Sequence, residues 1–233
     1  MIRSSAVSSP KPSVANAPIS MVRISEAQQY YVTLLRAIGV THGKTDNPIS
    51  TLGITSCYQG EGVSTIAVQL SLAAARTGIR VLLADLNWKR PSIHKSFGVP
   101  RGPGIAEALA YRGRNDAAVR TSQVANLSLL TLGDIPGDFN LVISLESMSQ
   151  LIGTLRQDYD LIVFDLPAAA RAETSLSLAG LMEGLLLVIE AERVRWEVAV
   201  RVKELLLRSG ANVIGTVLNK RRRHIPNWLY RTL

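Results

Sequence analysis

The sequence predicts an α/β domain: a parallel β-sheet flanked by helices on both faces. Short apolar runs alternate with longer stretches of helical character along most of the chain, and this order is typical of parallel sheets. The runs are also apolar at consecutive positions, as residues 80–85 (RVLLAD) illustrate. Strands with two apolar faces are buried between two layers of helices.

The first predicted elements surround a glycine-containing loop. A helix is expected over residues 25–38, because Ser25 is a favourable N-cap residue. The β-prone run Thr51–Ser56 leads into the loop 59–62. Residues 64–76 are rich in Ala and Leu and contain no helix breaker, so a helix should follow the loop directly.

The remaining predicted elements repeat the alternation of strand and helix. Further strands are expected at 80–85, 127–132, 161–165, 185–189 and 211–218. Between them, residues 143–156 and 195–209 have the character of helices. This alternation again favours a parallel sheet covered on both faces.

Length, charge and cysteine content indicate one domain between two basic tails. The chain has 233 residues, of which 47% are hydrophobic, and a net charge of +8. The whole excess of positive charge lies in residues 1–24 and 219–233, which contain no acidic residue. We predict a disordered basic tail (1–24), an α/β domain (25–220) and a basic C-terminal tail (221–233). The single cysteine, Cys57, excludes an intramolecular disulfide.

The distribution of charge and hydropathy also bears on location. The longest apolar run, residues 185–189, is far shorter than the ~20 residues of a membrane-spanning helix. Basic tails favour acidic partners, such as an anionic membrane surface or a nucleic acid. We therefore expect a cytoplasmic protein that is peripheral at the inner face of the cell membrane. Nucleic acid is the weaker expectation, because the predicted domain itself is neutral.

The loop after the first strand has the pattern of a phosphate-binding site. Gly60 and Gly62 allow the backbone to approach phosphates closely, and the N–H groups at the start of the following helix point towards an anion. Ser64 is placed to reach a Mg²⁺ ion. However, Val63 occupies the position at which a P-loop carries its phosphate-binding lysine. No Lys or Arg is present from residue 51 to residue 75.

Two predicted strands end in an aspartate, Asp85 and Asp165. A buried carboxylate is costly unless it accepts hydrogen bonds or faces a metal ion. Beside a phosphate loop, both are candidates to hold Mg²⁺ together with Ser64 and to act in catalysis if the protein is active. The alternative for each aspartate is a helix cap.

Four segments, 56–70, 80–108, 159–167 and 210–219, carry a resemblance to a known family. They resemble the P-loop, second acidic motif, Walker B motif and last strand of bacterial tyrosine kinases that work with capsule and exopolysaccharide co-polymerases. These kinases belong to the deviant-Walker P-loop ATPases, and the resemblance covers about residues 25–220. It implies a P-loop NTPase-like fold with ATP or ADP and Mg²⁺ as cofactors. The implied nucleotide-binding residues are Gly60, Glu61, Gly62, Val63, Ser64, Thr65 and Asn219, the last near the base.

The departures from this family fall on its chemistry and assembly. Val63 replaces the Walker A lysine, Tyr58 stands at the position of a second lysine of related ATPases, and Asn87 replaces the second Asp of an Asp-x-Asp motif. The Glu and two Arg of the first helix, which support ring assembly in the family, are reduced to Glu26. The tyrosine cluster at the end of the family's kinases is reduced to Tyr230. An oligomer is therefore expected only with an eroded assembly motif.

Three hypotheses follow from the sequence. The first is a degenerate member with lost or weakened ATP hydrolysis, which acts as a regulatory partner of a membrane-embedded co-polymerase in exopolysaccharide synthesis or export. The second is an active ATPase or tyrosine autokinase in which Lys89, a partner's arginine or, best, Arg90 replaces the missing lysine. The third is a DNA-partitioning ATPase, which only the net charge supports.

Overall fold

The structure is a computed structural model that describes residues 27–40, 48–110, 118–134, 143–171 and 173–221. The predicted N-terminal tail, the helix-capping Ser25 and nearly all of the C-terminal tail lie outside these ranges. Within them, no helix has both the length and the apolar character needed to cross a membrane.

Seven strands form one sheet. They are β1 (Thr51–Ser56), β2 (Val81–Asp85), β3 (Val119–Thr121), β4 (Leu127–Leu130), β5 (Leu161–Asp165), β6 (Gly184–Glu190) and β7 (Val213–Asn219). Their order across the sheet is β3-β4-β2-β5-β1-β6-β7. All neighbours pair in parallel except β3, which lies antiparallel to β4 at one edge. The predicted parallel sheet is thus confirmed, with one antiparallel edge strand added.

The helices lie between the strands in sequence. They are α1 (Ala27–Ala37), α2 (Val63–Arg76), α3 (Ile93–Phe97), α4 (Ile105–Ala110), α5 (Leu145–Leu155), α6 (Glu173–Ala179) and α7 (Trp196–Arg208), with a 3₁₀ turn at Ala169–Arg171. The four long helices agree with the predicted ones to within two residues at each end that the structure describes. The short elements α3, α4, α6, β3 and the 3₁₀ turn were not predicted, because three to seven residues are too few to show a period.

The two faces of the sheet each bury an apolar layer, as predicted. Alternate residues of each strand point to opposite faces. In β2, Leu83 joins the core beneath α1 and α2, whereas Leu82 joins the core beneath α4 to α7. Both side chains are completely buried. The sheet is therefore covered by helices on both sides.

The position of β1 determines where a ligand can bind. β1 lies between β5 and β6, and β2 lies on the far side of β5. The carboxyl ends of these strands meet at one edge of the sheet, which is where α/β proteins bind their ligands. The loop 57–62, which joins β1 to α2, lies at this edge.

The two-layer core makes one prediction about stability. Leu83→Ala removes a fully buried side chain from the centre of the sheet, and we expect it to lower the free energy of unfolding by about 2–5 kcal/mol. Leu207→Ala, at a half-exposed position on α7, is the control and should cost less than about 1 kcal/mol. Urea unfolding measures both. Equal losses in the two variants would contradict the burial described here.

Candidate nucleotide site

The loop between β1 and α2 has the backbone geometry of a phosphate-binding turn. Gly60 and Gly62 have φ angles of +89° and +98°, which residues with a side chain rarely adopt. Gly62 directly precedes α2, so Val63 and Ser64 begin the helix. The unpaired N–H groups of this first turn and the helix dipole favour an anion at this point.

Three successive carbonyl groups of the loop accept hydrogen bonds from side chains at the end of β7 or just after β6 and β7. Nη2 of Arg193 donates to Gln59 O (3.4 Å), Nζ of Lys220 to Gly60 O (2.6 Å) and Nδ2 of Asn219 to Glu61 O (2.8 Å). In a trans peptide, a carbonyl and the following N–H point in opposite directions. The three contacts therefore turn the N–H groups of residues 60–62 away from Arg193, Lys220 and Asn219, and such a row of N–H groups can bind an anion.

Glu190, at the end of β6, connects two of these side chains. Its Oε2 accepts from Nη1 of Arg193 (2.8 Å) and lies 3.2 Å from Nζ of Lys220. The hydrogen bond from Arg193, with the charge of Lys220, lowers the pKa of Glu190, and Glu190 raises the pKa of Arg193. Glu190 and Arg193 therefore form a charged pair at neutral pH.

The side chain of Glu61 is turned inward, beneath the backbone of the loop. It is completely buried, and its Oε1 accepts a hydrogen bond from Tyr58 N (2.9 Å). Burial raises the pKa of this carboxyl group. Burial and the nearby Glu61 also raise the pKa of the Cys57 thiol to about 12, so the thiol is protonated and unreactive at neutral pH. Glu61 therefore supports the loop from within.

Asp85 and Asp165 are paired across β2 and β5 and are both completely buried. Asp85 accepts hydrogen bonds from the backbone N–H groups of Asn87 (3.0 Å), Ser92 (2.9 Å) and Ile93 (3.1 Å). It thereby caps the start of α3, which is the alternative role of this aspartate. The carboxylate oxygens of Asp85 are thus already occupied by backbone donors.

Asp165 has a different environment. Neither of its oxygens accepts a well-formed hydrogen bond, although the Ser64 hydroxyl is near enough to lower its pKa somewhat. Burial, and then the charge of Asp85, outweigh this effect and raise the pKa of Asp165 to about 8. A buried carboxyl group without partners, close to a serine hydroxyl, fits a Mg²⁺ ion or its coordinated water.

A cavity of about 740 Å³ opens above the loop, and its volume is in the range of small-molecule sites. Of the predicted site residues, it is lined by Gly60, Gly62, Val63, Ser64, Thr65 and Arg90. Glu61, Asn219, Asp85 and Asp165 lie outside its wall. Lys89 and Arg193 also line it.

The sequence did not point to Arg193 and Lys220 as site residues. They follow β6 and β7, and only the strand order brings these segments against the loop after β1. No local signal in the sequence marks either residue, because neither belongs to a phosphate-binding motif.

The residues present fit a magnesium nucleotide in composition. The loop and the start of α2 supply backbone donors for phosphates, and Ser64 and Asp165 supply oxygen ligands. In the described ranges, no group of three or more His, Cys, Asp or Glu side chains is placed to hold a metal ion. Mg²⁺ typically takes one or two protein ligands and completes its shell with phosphate and water.

Fold and loop geometry together define a domain of the P-loop NTPase-like class. The sequence model of the family described as cellulose biosynthesis protein BcsQ matches residues 49–204. The chain therefore belongs to this family, within the wider group that contains the bacterial tyrosine kinases.

Individual relatives agree with this assignment. The chain is 28% identical over 183 residues to the tyrosine-protein kinase YwqD of Bacillus subtilis, a match that covers 78% of this chain and 77% of YwqD. The crystal structure of the chimerical protein CapA2B2 matches with a TM-score of 0.80 and 23% identity, over 88% of this chain and 89% of that one. The septum site-determining protein MinD of Pyrococcus horikoshii, complexed with Mg-ADP, matches with a TM-score of 0.63 and 23% identity, over 78% and 76%. The two structures show the shared fold.

Gly62→Ala should disturb the loop more than an equivalent change elsewhere. A Cβ atom at Gly62 would collide with Nδ2 of Asn219, whereas a Cβ at Gly78 meets nothing within 4 Å. Both glycines have φ above +90°, so the strain of a left-handed alanine, about 1–2 kcal/mol, is common to both variants. We expect Gly62→Ala to lower the free energy of unfolding by at least about 1 kcal/mol more than Gly78→Ala. Equal losses in urea unfolding would argue against the contact with Asn219.

Asp165→Asn should stabilise the protein, and the effect should depend on pH. The pKa of Asp165 is about 8 when folded, against about 3.9 in an unfolded chain. The folded state therefore retains a proton that the unfolded state has released, and stability falls as the pH rises from about 4 to about 8. The variant lacks this loss, so its advantage over wild type should be larger at pH 8 than at pH 5.

Urea unfolding with EDTA, in the absence of nucleotide, measures this advantage. The exposed Asp158→Asn controls for the removal of one acidic charge. An Asp165→Asn advantage that is the same at both pH values would contradict the raised pKa.

Proposed function

We propose that this chain binds Mg·ATP or Mg·ADP at the loop 57–62 and hydrolyses ATP weakly or not at all. In this proposal it acts in exopolysaccharide synthesis as a nucleotide-dependent regulatory partner of a membrane-embedded co-polymerase. The family description, cellulose biosynthesis protein, supports the link to polysaccharide synthesis.

Val63 is the observation that carries this proposal. It is the first residue of α2 and lines the cavity, at the position where active P-loop ATPases carry a lysine. Binding and hydrolysis depend on this lysine to different degrees. Backbone N–H groups contact phosphate in the ground state as well as in the transition state, whereas removal of a preorganised donor at a developing charge typically costs ~10²–10³ in rate.

The remaining groups have defined roles in nucleotide binding. The N–H groups of the loop and of the first turn of α2 hold the phosphates. The Ser64 hydroxyl and the Asp165 carboxylate hold Mg²⁺, directly or through water, while Asp85 fixes the segment from Asn87 to α3. When bound, Mg²⁺ would neutralise phosphate charge that no lysine of this loop neutralises.

The partner and the location follow from the resemblance and the charge distribution. The co-polymerases associated with such kinases are membrane proteins, and the basic ends of this chain, 1–24 and 221–233, would be attracted to an anionic membrane surface. The neutral central domain offers no comparable attraction to DNA. We therefore place the protein at the inner face of the cell membrane.

The cavity wall favours one alternative, an active ATPase or tyrosine autokinase with a substitute cation. Lys89 and Arg90 both line the cavity from the segment after β2. Either could bring positive charge to a phosphate, as an arginine finger does. Release of phosphate from ATP by the isolated protein would favour this alternative, and a phosphotyrosine product would establish the kinase.

Calorimetry with Mg·ATP and Mg·ADP, together with a phosphate-release assay, tests the proposal. We expect wild type to bind both nucleotides with no phosphate release above background. Val63→Lys should tighten binding about tenfold or more, because a charged hydrogen bond to phosphate is added. Gln69→Lys, which adds the same charge in the middle of α2 away from the cavity, should leave affinity unchanged.

Two results would count against the proposal. If neither wild type nor Val63→Lys binds nucleotide at millimolar concentration, the loop is not a nucleotide site. If wild type hydrolyses ATP as fast as Val63→Lys does, the missing lysine does not weaken catalysis.

A further inference from the structure

We propose that Arg193 is the cation that contacts the β-phosphate of bound ADP, or the β- and γ-phosphates of bound ATP, in place of the missing lysine. This inference rests on the proposed function, because it concerns the same nucleotide. It assigns the substitute charge to the connection after β6, on the opposite side of the loop from Arg90.

The position of the guanidinium group supports this assignment. A Cβ atom built on Gly60 would lie 3.7 Å from Nη1 of Arg193, and Nη2 donates to Gln59 O at 3.4 Å. Arg193 also lines the cavity, and half of its side chain is exposed. The group therefore lies beside the phosphate-binding turn at the cavity wall, on the side of the loop carbonyl groups, and reaches a phosphate when it turns away from Gln59 O and Glu190.

The chemistry of the three charged side chains allows Arg193 to change partners. Glu190 holds Arg193 at 2.8 Å and Lys220 at 3.2 Å. Lys220 is in turn fixed to Gly60 O at 2.6 Å. If Arg193 turns to a phosphate, Lys220 remains beside Glu190 and keeps its carboxylate paired. Because Glu190 neutralises only one of the two cations, Arg193 and Lys220, one positive charge remains available to an anion.

Arg193 is favoured over Arg90 because its contacts tie it to the loop. The side chain of Arg193 donates to a carbonyl group of the loop. Arg90 lines the same cavity, but it follows β2, which is separated from β1 by β5. A guanidinium group presents five donors in a planar fork, which suits a phosphate that already accepts backbone hydrogen bonds. The expected ligand is a nucleoside di- or triphosphate, since a monophosphate lacks the β-phosphate that Arg193 would contact.

The test compares Arg193→Gln with Arg195→Gln, which removes the same charge from an exposed site on the same connection that does not line the cavity. Calorimetry is carried out with Mg·ATP, Mg·ADP and AMP, and thermal unfolding verifies that each variant is folded. Arg193→Gln should weaken ATP and ADP binding about 10- to 100-fold, the range expected for a charged hydrogen bond. AMP binding, and all binding by Arg195→Gln, should stay within about twofold of wild type.

The same substitution in the Val63→Lys variant distinguishes a role of Arg193 as a replacement charge from a purely structural role in supporting the loop. In Val63→Lys the lysine supplies the charge, so Arg193→Gln should then cost less than about threefold. A loss of the same size in both backgrounds would assign Arg193 a bracing role and overturn the inference. Unchanged ATP affinity in Arg193→Gln would overturn it while leaving the proposed function intact. Absence of ATP binding by both wild type and Val63→Lys would overturn both.

Discussion

The site depends on one constraint: the carbonyl groups of the loop after β1 are held by side chains from the neighbouring edge of the sheet. Arg193, Lys220 and Asn219 each bond one of three successive carbonyls. The contacts order a glycine-containing segment that would otherwise lose much conformational entropy on folding. They also require β6 and β7 to lie beside β1. The strand order of the sheet and the direction of the loop N–H groups are therefore parts of the same arrangement.

The opposite side of the site has features that do not serve stability. Asp85 and Asp165 bring two buried carboxyl groups together, and only Asp85 accepts hydrogen bonds from the backbone. A sheet selected for stability alone would place an apolar or amide side chain at Asp165. A destabilising carboxyl group at the carboxyl end of a central strand, close to Ser64, is instead what a cation site requires before the cation is bound.

The centre of the sheet could be predicted because β2, β5 and β6 are runs of five to seven residues that are mostly apolar at consecutive positions. β3 could not, since three residues, none of them buried, are too few to show a period. α3 begins at the backbone N–H groups of Ser92 and Ile93, which donate to Asp85. This contact links residues seven and eight positions apart, across a segment that has the character of a loop in the sequence. Within the site, Gly60, Gly62 and Val63 were visible as a local motif. Arg193 and Lys220 were not, because their proximity to the loop arises from the order of strands.

In the proposed function, Val63 at the position of the lysine separates two requirements that a complete P-loop satisfies together. Nucleotide binding needs donors that are already in place, and the loop provides them through its backbone and the start of α2. Rapid hydrolysis needs positive charge that follows the phosphoryl group into the transition state. In our proposal Arg193, which is paired with Glu190, substitutes poorly in that role, because it must break one ion pair to form another and this exchange reduces the net gain in free energy. The proposed site would therefore suit a protein that reports the presence of nucleotide to a partner more than one that hydrolyses it rapidly.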